Sequence, residues 1–349
     1  MGTPDAPIWP HAPPNFTDHT YTSSTSTRLS VRVWPASPPP SLGCPAPFIV
    51  WVHGGGYIGG SHYIPFPWLT AGFQRRGYHL VMINYRLAPQ ASLDAQLTNC
   101  DKVDVDRYVV GGESAGGTFA TLLGLCLAPP PKAVIDVYGV VDFLGLEQLA
   151  VNGPVAQEEV EAWTGEFSED QLRAYVADRD PANVLTDALS WNEMEVISDV
   201  ELSTRWVADF RYTERVRLQA ELHIWRSLRK EPDALLKCTM HSERFEGGVS
   251  AYRVLLERAE KGKGKVEYPP TAFLHGTADV DVPISQSKEM ARVLREGGVE
   301  VVECYEEGVG HVFDAKYTGP DVAGWDTYIQ PILDFVNKYV GHEVKGVGA

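Results

Sequence analysis

Residues 107–117, RYVVGGESAGG, carry the strongest structural signal in the chain, because they predict an apolar strand that turns directly into an apolar helix. Small residues at Gly112 and Gly116 allow strand and helix to approach closely, so that Ser114 projects from a sharp turn. The N-terminus of the following helix favours negative charge that develops beside the serine. A serine in a glycine-rich turn can be purely structural, but the flanking strand and helix favour a nucleophile at Ser114.

Strand-like and helix-like segments alternate on both sides of this turn. Arg28–Trp34 alternates polar and apolar residues, whereas the later runs are short, apolar and rich in β-branched or aromatic residues, as buried parallel strands are. These later runs are Phe48–Val52, His79–Tyr85, Tyr108–Val110, Ala133–Tyr138, Thr271–Leu274 and Val299–Tyr305. The helical stretches include Thr118–Leu127, Ser285–Glu296 and Trp325–Val340. The alternation predicts an α/β fold with a mostly parallel central sheet flanked by helices.

Residues 142–269 interrupt this pattern with a long segment that is helical in character, polar and contains tryptophan. A structureless loop of that length is implausible inside a compact domain, so we predict an inserted helical lid subdomain. A helix near Ala251–Glu260 is expected to return to the core. The core then comprises residues 21–141 and 270–349. Residues 1–20 are rich in proline and polar residues and are expected to wrap the surface or stay mobile.

Composition excludes several classes of partner. The chain has 349 residues and a formal net charge of -16, which gives no general attraction to nucleic acid or anionic lipid. Its five cysteines lack the paired spacings of a disulfide framework or a zinc site. The N-terminus lacks the features of a secretory signal, and no apolar stretch reaches the roughly 18 residues of a membrane span. We expect a cytoplasmic protein without a membrane span or nucleic-acid partner; the oligomeric state is not predicted.

A second glycine-rich segment, HGGG at residues 53–56, follows the strand Phe48–Val52. Acyl transfer passes through a tetrahedral oxyanion, and a glycine run can direct backbone N–H groups at one point without obstruction by side chains. We expect the N–H groups of Gly55, Gly56 and Ala115 to form this oxyanion hole. The alternative is a tight turn that happens to be rich in glycine. His53 is interpreted as a residue that shapes the loop.

Three motifs in chain order, HGGGY (53–57), NYRLAP (84–89) and GESAGG (112–117), resemble the hormone-sensitive-lipase-like group of α/β-hydrolases. The resemblance runs from about residue 48 to 127 and resumes from about 270 to 340. It implies the α/β-hydrolase fold, esterase or lipase activity, a triad in the order Ser, Asp, His, and no metal or organic cofactor.

The resemblance places the triad on Ser114, on Asp279 in HGTAD (275–279) and on His311 in GVGH (308–311). This late segment, with Val282-Pro283 after the aspartate, is more similar to dipeptidase-like and feruloyl-esterase-like branches than to the DPL motif usual in the lipase group. Asp281 is a local alternative to Asp279, because both follow the same predicted strand, and we favour Asp279.

These residues predict a serine hydrolase that cleaves a small-molecule carboxylic ester through an acyl-enzyme intermediate. A peptidase, a lactonase or a thioesterase would use the same triad, and a non-catalytic hydrolase-fold binding protein is the alternative outside enzymes. Aromatic residues of the inserted segment could line an acyl pocket or form the core of the lid. They are Trp163, Phe167, Trp191, Trp206, Phe210, Tyr212 and Trp225.

The connection from Gln90 to Asp106, between the NYRLAP strand and the serine strand, is short relative to the family. A parallel crossover needs about a dozen residues, so the link is feasible with an abbreviated helix. We expect such a helix to leave apolar side chains of the neighbouring strands and of the helix after Ser114 partly uncovered, and the protein to be less stable as a result.

Overall fold

The computed structural model describes residues 15–22, 27–40, 45–100, 107–143, 165–186, 214–215, 217–219, 221–222, 250–262 and 265–341. Its strands are β1 (Thr17–Thr22), β2 (Arg28–Trp34), β3 (Phe48–Val52), β4 (His79–Ile83), β5 (Tyr108–Glu113), β6 (Val134–Val137), β7 (Thr271–Gly276) and β8 (Val301–Glu306). They form one sheet in the order β1-β2-β4-β3-β5-β6-β7-β8. The β1–β2 and β2–β4 pairs are antiparallel, and the remaining neighbours are parallel.

The helices lie on both sides of this sheet. They are α1 (Pro67–Gly72), α2 (Leu93–Cys100), α3 (Ala115–Cys126), α4 (Glu169–Ala177), α5 (Ala251–Lys261), α6 (Ser285–Glu296) and α7 (Gln330–Val340). Short 3₁₀ turns span Gln74–Arg76, Pro181–Asn183 and Phe313–Lys316, and a π-turn at Trp325–Ile329 leads into α7. The α/β fold class with a mostly parallel sheet flanked by helices is confirmed.

Alternate side chains of the strands pack into two apolar layers, one on each face of the sheet. In β3, Val50 and Val52 pack in the layer that contains α3, α5 and α6, whereas Ile49 and Trp51 pack in the layer that contains α1 and α7. This follows from the two-residue period of a strand that is covered on both faces. All six residues of β5 are buried, so the strand that leads to Ser114 is at the centre of the molecule.

The strand β1 was not predicted, and it begins inside the segment expected to be an N-terminal extension. Its sequence, TDHTYT, lacks the apolar alternation of a half-buried strand. It pairs at the edge of the sheet with β2, and Asp18 receives two hydrogen bonds of 2.7 Å from the guanidinium of Arg32. Backbone pairing and this ion pair, rather than burial of apolar side chains, account for the strand. Residues 1–14 lie outside the described residues.

The helix predicted near Ala251–Glu260 is confirmed as α5, and it packs on the core helices α3 and α6. Ser250 caps its N-terminus by accepting from the N–H of Arg253, and its hydroxyl donates to the carbonyl of Val141 at 2.8 Å. Arg253 also forms an ion pair with Asp142 at 2.7 Å. Ser250 and Arg253, in the later part of the predicted insertion, therefore bind Val141 and Asp142, where that insertion begins.

The remainder of the inserted segment is described only in part, over residues 165–186 and parts of 214–222. There Phe167, Leu172 and Tyr175 pack with Ile58 and Ala88 of the core. Gln219 donates hydrogen bonds to the carbonyls of Ile58 and Ala88. Phe167 is thus a packing residue, and the other six aromatic residues singled out in the sequence lie outside the described residues. The lid subdomain and the domain boundaries stay predictions.

The three cysteines among the described residues, Cys100, Cys126 and Cys304, are free thiols. Cys44 and Cys238 lie outside the described residues. Among the helices that the structure describes, none is both long and apolar enough to cross a membrane.

The short connection contains α2, whereas residues 101–106 lie outside the described residues. Leu93, Leu97 and Cys100 are buried in the layer that contains α3. In the described part of the chain, the one exposed large hydrophobic residue is Val280, far along the sequence from α2. Among the described residues of the neighbouring strands and of α3, no large apolar side chain is exposed, although Val81 and Leu125 are only partly buried. The two turns of α2 cover part of this layer, and the expected loss of stability stays a prediction.

We expect Leu97→Ala to lower the free energy of unfolding by about 2–5 kcal/mol, because Leu97 is fully buried and its removal leaves a cavity against α3. Urea denaturation of the variant and of the wild-type protein measures the difference. Val280→Ala, at an exposed position, is the control and is expected to change stability by about 0.5 kcal/mol or less. If Leu97→Ala proves as mild as Val280→Ala, α2 does not cover the core as described.

Candidate active site

Ser114 lies at the junction of β5 and α3 in a strained backbone conformation. Its φ is 53° and its ψ is -119°, an uncommon conformation for a residue with a side chain. A Cβ atom on Gly112 would lie 2.3 Å from the carbonyl oxygen of Gly116, and one on Gly116 would lie 1.9 Å from that of Val52. The two glycines are therefore required for the close approach that the sequence predicts.

The structure places His311 between Ser114 and Asp279. The Nε2 atom of His311 is 3.1 Å from the Oγ of Ser114, and its Nδ1 is 2.7 Å from the Oδ2 of Asp279. The other carboxylate oxygen of Asp279 accepts hydrogen bonds of 2.9 Å from the backbone N–H groups of Asp281 and Val282. Asp281 therefore contacts Asp279 through its backbone, while the carboxylate that contacts His311 is that of Asp279.

Asp279 also has a second histidine neighbour, which sequence reasoning did not single out. The fully buried His275 has its Nε2 atom 2.8 Å from the carbonyl oxygen of Val282 and 3.4 Å from the Oδ2 of Asp279. Its Nδ1 is 2.7 Å from the hydroxyl of Ser287. Burial alone would raise the pKa of Asp279, but hydrogen bonds from His275 and His311 outweigh it and hold the pKa well below its usual range. Asp279 is therefore ionised at neutral pH.

The glycine-rich loop after β3 lies directly beside the serine. Gly55 and Gly56 have positive φ values of 108° and 59°, and a Cβ atom on Gly54 would lie 3.2 Å from the Cβ of Ser114. His53 stacks on Tyr85 with ring centroids 4.4 Å apart, as expected of a residue that shapes the loop. Gly54, which directly precedes Gly55 and Gly56, thus contacts Ser114, and the role of the N–H groups of Gly55, Gly56 and Ala115 stays a prediction.

Glu113, which precedes the serine, joins this loop to the turn. The N–H of Gly54 donates to its Oε1 at 2.6 Å, and the indole N–H of Trp51 donates to its Oε2. Burial raises the pKa of Glu113 to about 8, and these N–H donors act in the opposite direction. The sequence shows that Glu113 lies inside GESAGG. It does not show the hydrogen-bond partners of Glu113, which belong to β3 and to the loop that follows β3.

We expect the stability of the wild-type protein to fall relative to Glu113→Gln as the pH rises from about 5 to 8. The folded protein retains a proton on Glu113 that the unfolded chain releases near pH 4.5, so this stabilising contribution is lost as the pH approaches 8. Urea denaturation of both proteins at several pH values measures the effect. Burial also raises the pKa values of Asp136 and Asp314 to about 6, but both proteins contain these groups. Parallel pH dependences would contradict the expectation.

The three side chains Asp279, Asp281 and His311 offer potential metal-ligand atoms that lie within 4.8 Å of one another. Two of these atoms, the Nδ1 of His311 and a carboxylate oxygen of Asp279, are already accounted for by their mutual hydrogen bond of 2.7 Å. The arrangement therefore needs no metal to explain it.

The chain is similar to two protein families and to several known proteins. The BD-FAE family model matches residues 38–185, and the model of the prolyl oligopeptidase family matches residues 236–343. The non-reducing polyketide synthase Preu6 of Preussia isomera is 27% identical over 325 residues, which cover 84% of this chain and 13% of that protein. Three further non-reducing polyketide synthases match over most of this chain.

Ethyl acetate hydrolase of Pseudomonas putida is 31% identical over 151 residues, which cover 37% of this chain and 46% of that protein. The matched regions thus span less than half the length of either relative. A solved brefeldin A esterase, described as a bacterial homologue of human hormone-sensitive lipase, shares the fold with a TM-score of 0.54 at 15% identity, and the match covers 94% of this chain and 77% of that chain. The chain therefore has the fold of the α/β-hydrolases, and parts of it are similar to hydrolases of the esterase type.

Proposed function

We propose that this protein is a serine hydrolase that cleaves carboxylic esters of small molecules through an acyl-enzyme intermediate. The observation that carries the proposal is the hydrogen-bonded series Ser114, His311 and Asp279, which lies beside the loop of Gly55 and Gly56. A serine becomes a strong nucleophile when a histidine can take its proton and an ionised carboxylate orients that histidine.

The proposed reaction has two halves. Nε2 of His311 takes the hydroxyl proton as the Oγ of Ser114 attacks the ester carbonyl, and the N–H groups of Gly55, Gly56 and Ala115 stabilise the oxyanion. The tetrahedral intermediate then collapses, His311 returns the proton to the leaving alcohol, and the acyl group stays on Ser114. Water attacks this acyl-enzyme with His311 again as the base, which releases the carboxylic acid and restores the serine.

Release of an acyl group from a thioester is a second candidate, and the polyketide synthase relatives favour it. By their names these relatives build polyketide chains, and the same serine chemistry cleaves a thioester as it cleaves an oxygen ester. The leaving group is then a thiol instead of an alcohol. Because this chain matches only a small part of each synthase, the activity of the whole synthase is not implied.

A series of p-nitrophenyl esters with acyl chains of increasing length, measured beside matched acyl thioesters and Ser114→Ala, tests the proposal. We expect turnover of at least one ester that depends on Ser114. A clear preference for thioesters at equal acyl length would favour the second candidate. Absence of turnover with every ester, thioester, lactone and peptide tested would instead favour the non-catalytic binding protein.

A further inference from the structure

Tyr138, directly after β6, lies against the imidazole of His311. The two ring centroids are 4.5 Å apart at an interplanar angle of 55°, and Tyr138 is fully buried. Its backbone N–H donates to the carbonyl of Leu274 at 2.9 Å, which fixes it beside β7. Tyr138 has a positive φ of 40°, a conformation that costs free energy in a residue with a side chain. The surrounding contacts must therefore hold it in place.

The hydroxyl of Tyr138 donates to a buried carboxylate. Its partner is the Oδ1 of Asp314, at 2.7 Å, and the Oδ2 of Asp314 accepts from the indole N–H of Trp68 in α1 at 2.8 Å. All three side chains are fully buried. A buried carboxylate without donors would be costly, so each of these hydrogen bonds supports the arrangement.

Asp314 also belongs to the segment that carries the histidine. Val312, between His311 and the 3₁₀ turn that contains Asp314, has a positive φ of 61°, which is unfavourable for a β-branched residue. The hydrogen bond from Tyr138 to Asp314 therefore joins two strained backbone segments, one that contacts the imidazole and one that directly follows His311 in the chain. Such strain persists only where the surroundings fix the geometry, and it clusters at functional sites.

We propose that Tyr138 and Asp314 are positioning residues for His311: the ring supports the imidazole, and the Tyr138–Asp314 hydrogen bond holds that ring and the histidine segment together. The inference rests on the proposed role of His311 as general base. When ionised, above about pH 6, Asp314 also interacts electrostatically with His311 and so favours the imidazolium that forms when the serine loses its proton. Among the described residues, the titratable groups Glu113 and Tyr317 also interact with Asp314.

The test uses the second-order rate at which a fluorophosphonate modifies Ser114, followed from pH 5 to 9. This rate depends on the serine and its base and needs no knowledge of the natural substrate. We expect Tyr138→Phe, which keeps the ring and removes the hydroxyl, to lower the rate about tenfold. We expect Asp314→Asn to move the acidic midpoint of the pH–rate profile to lower pH by about one unit, because less negative charge then favours the protonated histidine.

Tyr108→Phe is the matched control. Tyr108 is equally buried, and its hydroxyl donates to the carbonyl of Pro129 at 2.5 Å. It lies at the start of β5, roughly 20 Å from Ser114 at the usual rise of a strand. We expect this variant to lose some thermal stability while its labelling rate and pH midpoint stay at the wild-type values.

Equal labelling rates and midpoints in wild type, Tyr138→Phe and Tyr108→Phe would overturn the inference. If Asp314→Asn does not fold, the comparison of the two tyrosine variants decides alone. A wild-type protein that is not labelled at Ser114 would contradict the proposed function itself, so the two failures are distinguishable.

Discussion

Ser114→Ala is expected to lower kcat for ester hydrolysis by a factor on the order of 10⁴ to 10⁶. The hydroxyl oxygen of Ser114 is the atom that bonds to the acyl group, and His311, 3.1 Å away, is placed to take its proton. The variant should fold normally, because the change removes one oxygen atom from a partly exposed side chain.

Steady-state kinetics with the best p-nitrophenyl ester measures this loss. Ser168→Ala is the matched control, since Ser168 caps the N-terminus of α4 outside the site. We expect it to keep wild-type kcat while it lowers stability by about 1 kcal/mol through the loss of the cap. Ester hydrolysis that survives Ser114→Ala would exclude this serine as the nucleophile.

Asp279→Asn is expected to lower kcat by about 10⁴-fold, whereas Asp281→Asn should lower it by less than about tenfold. The carboxylate of Asp279 accepts a hydrogen bond from the Nδ1 of His311, and this bond leaves Nε2 free to accept the serine proton. An asparagine at that position can present an N–H group to Nδ1 and so favour the wrong tautomer. Asp281 contacts Asp279 through its backbone N–H, which the substitution leaves in place.

The same ester assay, with circular dichroism to verify folding, compares the two variants. Their side chains are alike in size and lie in one loop, so each is the control for the other. A greater loss in Asp281→Asn would show that the aspartate has been chosen wrongly, and equal losses would indicate that the loop as a whole, rather than one carboxylate, supports the histidine.

The sequence predicted the centre of the sheet well, because strands buried on both faces are short apolar runs between glycine-rich turns. Arg28–Trp34 and Phe48–Val52 have the same bounds in the structure as in the prediction, and so does the helix Ser285–Glu296. By contrast, β1 depends on pairing with β2 and on one ion pair, and neither is visible in its polar sequence.

In the candidate site, too, some features could be predicted from the sequence and others could not. Motifs confined to a few consecutive residues identified Ser114 and the HGGG loop, since the required turns are encoded locally by glycine. The contacts of Tyr138 and Asp314 were not predictable, because they join residues that are far apart in the chain. The separation of Trp68 and Asp314, for example, is 246 residues. The polar contacts of His275 are with residues at most 12 positions away, but they depend on how the loop after β7 folds back on it.

The short connection shows what length alone does not predict. Its length indicated missing cover over the neighbouring strands and α3, but cover depends on where the side chains point. Leu93, Leu97 and Cys100 follow helical spacing and meet α3 on one face of α2. Whether a longer connection stabilises the protein stays a prediction, which a comparison of thermal midpoints tests.

The most direct test of the central claim is to treat the wild-type protein with a fluorophosphonate at neutral pH and locate the modified residue by mass spectrometry. We predict a single adduct on Ser114 that is absent from Ser114→Ala and strongly reduced in His311→Ala, because only a serine activated by a histidine reacts at an appreciable rate. An adduct on another residue, or labelling of equal extent in Ser114→Ala, would contradict the assignment of Ser114 as the nucleophile.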